Sequence, residues 1–123
     1  MNTTDIIGYD YYPIGFYNHT LREVYAGLSY NPLSQVKQRI GIVQIFDWYV
    51  LHPDIHNSTI PTLKEMKSMA WQYIASGITG LLFYSLNEFI WMNKYTPFEK
   101  RWKEFIELTD EIWKYKDVIF IYR

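Results

Sequence analysis

Three runs of strand length, each almost continuously apolar, alternate along the chain with segments of helical spacing. The first, Asp5-Ile-Ile-Gly-Tyr-Asp-Tyr-Tyr12, is closed by Pro13, which has no N–H for a sheet ladder. The second, Arg39-Ile-Gly-Ile-Val-Gln-Ile-Phe46, is rich in β-branched residues and gives way to a polar loop from Asp47 to Pro61. The third is Thr79-Gly-Leu-Leu-Phe-Tyr-Ser85. Strands of half-solvated sheets alternate apolar with polar; continuous runs are what covered strands look like, so the pattern predicts a parallel sheet with helices outside.

Between the first two strands, Leu21, Val24, Tyr25 and Leu28 have helical spacing until Asn31-Pro32 interrupts it. The next helix is better marked. Thr62-Leu-Lys-Glu65 is a capping box, Leu63, Met66, Met69, Ala70, Tyr73 and Ile74 form an apolar stripe, and Gly77 stands where a left-handed residue ends a helix. Thr96-Pro-Phe-Glu99 predicts a second capping box, with Pro97 at the first helical position. From there Phe98, Trp102, Phe105, Ile106, Thr109, Ile112 and Trp113 face one way, as a core face. Lys100, Arg101, Lys103, Lys114 and Lys116 are expected on the solvated side.

The order is β-α-β-α-β-α, the repeating unit of both the closed (β/α) barrel and the open doubly wound sheet. Val118-Ile-Phe-Ile-Tyr-Arg123 reads as the start of a further strand, truncated in mid-element. A barrel takes eight strands and about 250 residues. Three buried parallel strands also leave two long apolar edges, an aggregation hazard unless something pairs with them. The expectation is a fragment of a longer fold, an incomplete gene model, or a half completed by another subunit.

Composition narrows the function classes. Twelve Lys+Arg against 13 Asp+Glu, a net charge of −1, argue against binding nucleic acid or an anionic membrane, both of which need excess positive charge. The absence of cysteine excludes a disulfide scaffold, thiolate metal sites and thiol catalysis, without pointing to a compartment. The longest apolar run falls far short of the ~18 to 20 residues of a membrane span, so one soluble domain is the default. No basic and apolar leader opens the chain, so the sequons at Asn2, Asn18 and Asn57 are acceptors only if it is secreted by another route. The unusual figure is 20% aromatic residues, which serve cores, interfaces and sugar-stacking platforms alike.

Taken together, several short motifs form a known pattern. They are Asp10-Tyr-Tyr-Pro13, Val43-Gln44, Pro61-Thr62 with Met69-Ala70, and Ser76-Gly77-Ile-Thr-Gly80 leading into Phe83-Tyr84-Ser85. In order and spacing they resemble the last part of the glycoside-hydrolase-like (β/α)8 barrels, from the sixth strand to the eighth helix. The resemblance implies an α/β fold, a partial (β/α)8 TIM barrel of three β-α units with parallel strands, over residues 1–117, with 118–123 opening an appended β-domain. It also implies a carbohydrate ligand and hydrolysis of O-glycosyl bonds by two carboxylates. The acid/base usually stands on the fourth strand, so a chain beginning at the sixth is expected to be inactive alone. The competing expectation is a non-catalytic α/β binding or assembly module that self-associates through its open sheet edges. A flavodoxin-like nucleotide binder is disfavoured, because no Gly-rich turn follows any strand and neither Gly15 nor Gly77-Ile-Thr-Gly80 cradles a phosphate. No cofactor is expected.

In such a fold, function sits at the C-terminal ends of the strands. Asp10 is the best catalytic or sugar-binding carboxylate, against a plain hydrogen bond to the neighbouring loop; Tyr11 and Tyr12 follow it. Where the resemblance places a seventh-strand nucleophile, Gln44 stands, and an amide does not attack an anomeric carbon. Either Asp47 takes the catalytic role from the strand end or there is no nucleophile here; Gln44 is expected to bind sugar hydroxyls, and Trp48 either stacks on a sugar ring or packs the loop. At the third strand end the resemblance makes Tyr84 or Phe83 the aromatic platform, with Asn87 and Trp91 nearby and Glu88 as a solvated loop charge. His52-Pro-Asp54-Ile-His56 offers metal-ligand types without a fourth ligand, so no metal is expected.

Overall fold

A computed structural model describes residues 6–16, 19–29, 38–54 and 59–121. The sequons at Asn2, Asn18 and Asn57, the Asn31-Pro32 break and His56 lie outside them. Strands β1 (Ile6–Asp10), β2 (Gln38–Gln44) and β3 (Gly80–Tyr84) alternate with helices α1 (Arg22–Ser29), α3 (Leu63–Ala75) and α5 (Phe98–Lys114). Shorter helices α2 (Trp48–Leu51) and α4 (Leu86–Trp91) follow the ends of β2 and β3, and α6 (Lys116–Ile121) closes the chain. The mixed α/β class and the parallel pairing follow the sequence expectation, in the order β1-β2-β3.

Successive parallel strands joined by right-handed crossovers place every crossing helix on the same side. On that side of the sheet, Tyr9 meets Tyr73 of α3 edge to face at 6.3 Å, and Phe83 meets Phe105 of α5 at 4.9 Å. Gly41 is where α3 comes closest: a Cβ there would lie 2.5 to 2.9 Å from Tyr73 Cβ, Cγ and Cδ1. Residues of the opposite face, Ile6, Ile40, Ile42, Leu82 and Tyr84, are exposed or half-exposed. The continuous apolar runs therefore have two faces of different fate: one is packed by helices, and the other is covered only at its C-terminal end, where the loop after β1 lies over Gln44.

The best-marked helix forms as expected. Thr62 Oγ1 accepts the Glu65 N–H, Glu65 returns to the Thr62 N–H, Gly77 takes φ 83°, and Met66, Met69, Ala70 and Tyr73 are fully buried. Other expectations are corrected. The segment from Val118 is helical through Ile121, in α6, and not the opening of a strand. Backbone bonds from the Ile119 and Val118 N–H groups to the Tyr115 carbonyl start this helix directly after α5. The second capping box does not close: Pro97 is the cap residue, without a side-chain bond, and Asn93 Oδ1 accepts the Phe98 N–H instead. Two segments taken for loops are the helices α2 and α4, capped by Asp47 and Ser85.

Of the expected core face of α5, Phe98, Phe105, Thr109 and Ile112 are half-buried while Trp102, Ile106 and Trp113 are exposed, Trp113 to 64%; the apolar side chain of the helix that is fully buried is Leu108, which was not expected there. Arg101, expected in solvent, is buried: its Nη2 donates to the Pro61 carbonyl at 2.7 Å and its Nη1 pairs with Glu104 at 2.6 Å, pinning α5 to the entry of α3. Gly41→Ala is expected to destabilise the fold by about 1 to 3 kcal/mol, since the added methyl meets ring and backbone-proximal atoms that have no room to yield. Chemical denaturation measures it, and an unchanged midpoint would contradict the close approach.

Candidate functional site

The three strands end together at one edge of the sheet. Asp10 ends β1, Gln44 ends β2 and Tyr84 ends β3, with Asp10 registered on Ile42 and Gln44 on Tyr84. The segments that continue from these ends supply the rest: Tyr11 to Phe16, Ile45 to α2, and Ser85 to α4.

Gln44 organises this edge. Its side chain is fully buried; Oε1 accepts the Ile14 N–H at 2.9 Å, and Nε2 donates to the carbonyls of Ile14 at 2.9 Å and Phe46 at 3.0 Å. Both amide protons are thus spent on backbone, leaving none for a sugar hydroxyl. The residue holds the loop after β1 over the end of β2, and Gly15 at φ 77° lets that loop turn.

Above it lies a cluster of rings. Tyr12 stacks on Tyr84 at 5.6 Å and 26°, and Phe46 stands edge-on to both, at 5.2 and 5.6 Å. Trp48 meets Phe16 at 4.6 Å, and its indole N–H donates to the Tyr12 carbonyl at 3.1 Å. Three of the residues singled out in the sequence, Tyr12, Trp48 and Tyr84, therefore do come together. Trp48 acts as the loop-packing ring, while Tyr84, 40% exposed, presents a face to solvent. Phe46 was missed as a member because it reads as the last apolar residue of a strand; its place follows from β2 ending two residues earlier.

The carboxylates divide by role. Asp10 is exposed at the end of β1. Asp47 is buried and caps α2, with Oδ1 accepting the Tyr49 N–H at 3.0 Å. Glu88, expected as a solvated charge, is instead buried on the first turn of α4. Asn87 is exposed on that turn and shares no hydrogen bond with the ring cluster among the described residues. Tyr11 bonds to His19 Nδ1 and donates to Glu23 Oε2 at 2.7 Å, tying the loop to α1. The Thr20 N–H and then that phenol hold the Glu23 carboxyl below its usual range.

Burial, then the charges of Asp10, Tyr84 and Glu88, push the Tyr12 phenol up to about 12. It therefore stays protonated at physiological pH, able to donate a hydrogen bond. Burial, followed by Asp47 and Tyr49, also pushes Tyr95 up to about 12.

Comparison with protein-family models, curated proteins and solved structures finds no match. The site's chemistry rests on its own residues. Stacked phenols at an exposed edge suit the flat apolar face of a ligand, and Asp10 with the neutral Tyr12 hydroxyl can accept and donate hydrogen bonds to its polar rim. Among the described residues no group of three or more His, Cys, Asp or Glu could hold a metal ion; His52 lies against Trp48 at 5.7 Å and Asp54 is exposed. No helix among them is long and apolar enough to cross a membrane.

Replacing Gln44 by Met strands three buried backbone groups, and is expected to cost about 2 to 4 kcal/mol and to shift the Trp48 emission to the red as the loop loosens. A denaturation midpoint and fluorescence spectrum equal to the parent's would contradict the anchoring role. The phenols predict an alkaline limit. A phenol held neutral in the fold and free to ionise in the unfolded chain stabilises below pH about 10 and loses that contribution as pH climbs towards about 12. Denaturation curves between pH 9 and 12 should show the fall, less steep in Tyr12→Phe.

Proposed function

We propose that the chain is part of a glycoside-hydrolase-like (β/α)8 barrel and binds a glycan at the edge where its strands end. One observation carries the reading: the stacked Tyr12–Tyr84 pair, open to solvent and flanked by the Asp10 carboxylate, lies at the C-terminal ends of consecutive parallel strands. The one-sided placement of α1, α3 and α5 agrees with helices on the outside of a barrel, whose bare inner face further strands would cover. The first half of an open doubly wound sheet has the same one-sided order, so the strand-end chemistry is what favours the barrel.

In this reading Tyr84 is the platform under a sugar ring, Tyr12 donates to a ring hydroxyl, and Asp10 is the carboxylate that meets the reacting sugar. Asp47 is a weaker catalytic choice, since Oδ1 is engaged in capping α2. Hydrolysis requires a second carboxylate across the scissile bond, ~5 to 9.5 Å from the first, and the units that complete the barrel would supply it. Gln44 is a positioning residue.

A second reading has its own support. Among the described residues strand β3 pairs on one side only, and its outer edge is bordered by two apolar grooves. One, of about 290 Å³, lies among Leu82, Phe83, Leu86 and Trp102; the other, of about 310 Å³, lies among Leu81, Ile112 and Trp113. Leu82 is 54% exposed there. An assembly module completed by a second copy or a partner subunit would cover this edge, and a monodisperse dimer in light scattering would favour it.

The glycan reading expects retention of the chain in affinity electrophoresis through soluble polysaccharides, with Tyr84→Ala weakening it about tenfold. No retention by any polysaccharide overturns it. On chromogenic glycosides the chain is expected to turn over weakly or not at all, and turnover that survives in Asp10→Asn overturns the role of that carboxylate.

A further inference from the structure

The strand-end site lies at one end of β3, and the opposite end borders a groove that it does not use. Beside Gly80 and Leu81, where β3 begins, Ile74 of α3, Ile112 of α5 and Ile119 of α6 line a space of about 310 Å³. Small-molecule sites occupy ~300 to 1,000 Å³, so this one has room for a short apolar chain. Apart from Trp113 its walls are aliphatic, and the other side chains with polar atoms that reach it are Thr79 and Lys116. The Thr79 hydroxyl is spent within the fold, donating to the Arg39 carbonyl at 3.1 Å and accepting the Arg39 N–H at 3.0 Å.

Lys116 is not spent in this way. It opens α6 directly after the end of α5, and its Nζ lies 4.4 Å from the centre of the Trp113 ring. The ion pairs among the described residues engage His19, Lys67 and Arg101, and Lys116 enters none of them. Of the carboxylates close to it in the chain, Glu111 is held by Lys67 at 2.6 Å and by the Trp71 indole N–H at 3.1 Å, and Asp117 is exposed. Lys116 itself is half-buried. An ammonium resting on an indole thus stands at the rim of an apolar groove with no anion to answer it.

We propose that this groove binds a single-chain anionic amphiphile, a free fatty acid, with its acyl chain among Ile74, Leu81 and Ile112 and its carboxylate on the Lys116 ammonium. Aliphatic walls alone would take any apolar occupant; the cation at the rim selects the head group by complementarity of charge. The walls supply affinity in proportion to the apolar surface they cover, and the head fixes which end of the ligand faces water. The site is separate from the glycan reading, which concerns the opposite end of the strand, and it gives the groove beside Trp113 an occupant other than a second copy of the chain.

The test is calorimetric titration of the full chain with octanoate, decanoate and decyltrimethylammonium, each as monomers in solution. Decanoate is expected to bind about tenfold tighter than octanoate, for two added methylenes. It is also expected to bind at least about tenfold tighter than decyltrimethylammonium, which has the same tail and the opposite charge. Lys116→Gln should narrow the second ratio about tenfold, and Lys116→Arg, which keeps the charge, should preserve it. Equal binding of the two decyl compounds, a ratio unchanged in Lys116→Gln, no gain with chain length, or no binding of decanoate overturns the inference. So does a chain that scatters light as a dimer and takes up decanoate only as it dissociates, since the groove is then the seat of a second copy. Retention by polysaccharides reports on the other end of β3, so the glycan reading stands or falls independently of these results.

Discussion

The handedness of the strand–helix–strand crossover is the constraint on which the rest of the structure depends. With β1, β2 and β3 laid down in chain order, a constant hand sends α1, α3 and α5 to one face and brings Asp10, Gln44 and Tyr84 to one edge. The close approach of α3 over Gly41 fixes the distance between the layers, and the Arg101 bond to the Pro61 carbonyl fixes where α5 lies beside α3. The same geometry leaves much of the opposite sheet face and the outer edge of β3 apolar and unpartnered among the described residues.

Within that frame the strand-end edge is built by polar groups that serve the backbone and aromatic groups that serve the surface. Gln44 is the clearest case of the first kind: a buried amide with three bonds to main-chain atoms on two segments. Asp47 is another, spent in capping α2. Beside these supports Tyr12 stacks on Tyr84, which is partly exposed. Glu88 Oε2 and Arg101 Nε depart from the pattern, being buried without a hydrogen-bond partner among the described residues.

Much of the chain's local structure is legible in its residues, because the interactions that decide it reach only a few positions. The three strands, the Thr62–Glu65 box, the apolar stripe of α3 and the left-handed Gly77 all obey periodicity or capping rules. Where such rules failed, other local contacts decided: Asn93 caps the start of α5 through the Phe98 N–H in place of the Thr96–Glu99 box, and the Val118 segment is helical despite strand-like composition. Short helices were the other weakness. At α4, Ser85-x-x-Glu88 did carry a readable signal, whereas the four residues of α2 are too few to show a period.

What residue type and spacing determined is therefore the kind of the three strands and of the longer helices, and that Tyr12, Trp48 and Tyr84 follow apolar runs that end at a common edge. Only the tertiary structure decided their roles, since role depends on who occupies each hydrogen bond and which surface remains wet. Gln44 and Asp47 turned from ligand contacts into supports once their partners were seen, and Glu88 and Arg101 moved from solvent to the interior. Trp102 and Trp113 moved the other way, from core towards surface, because an amphipathic face is buried only where a neighbouring element comes to meet it.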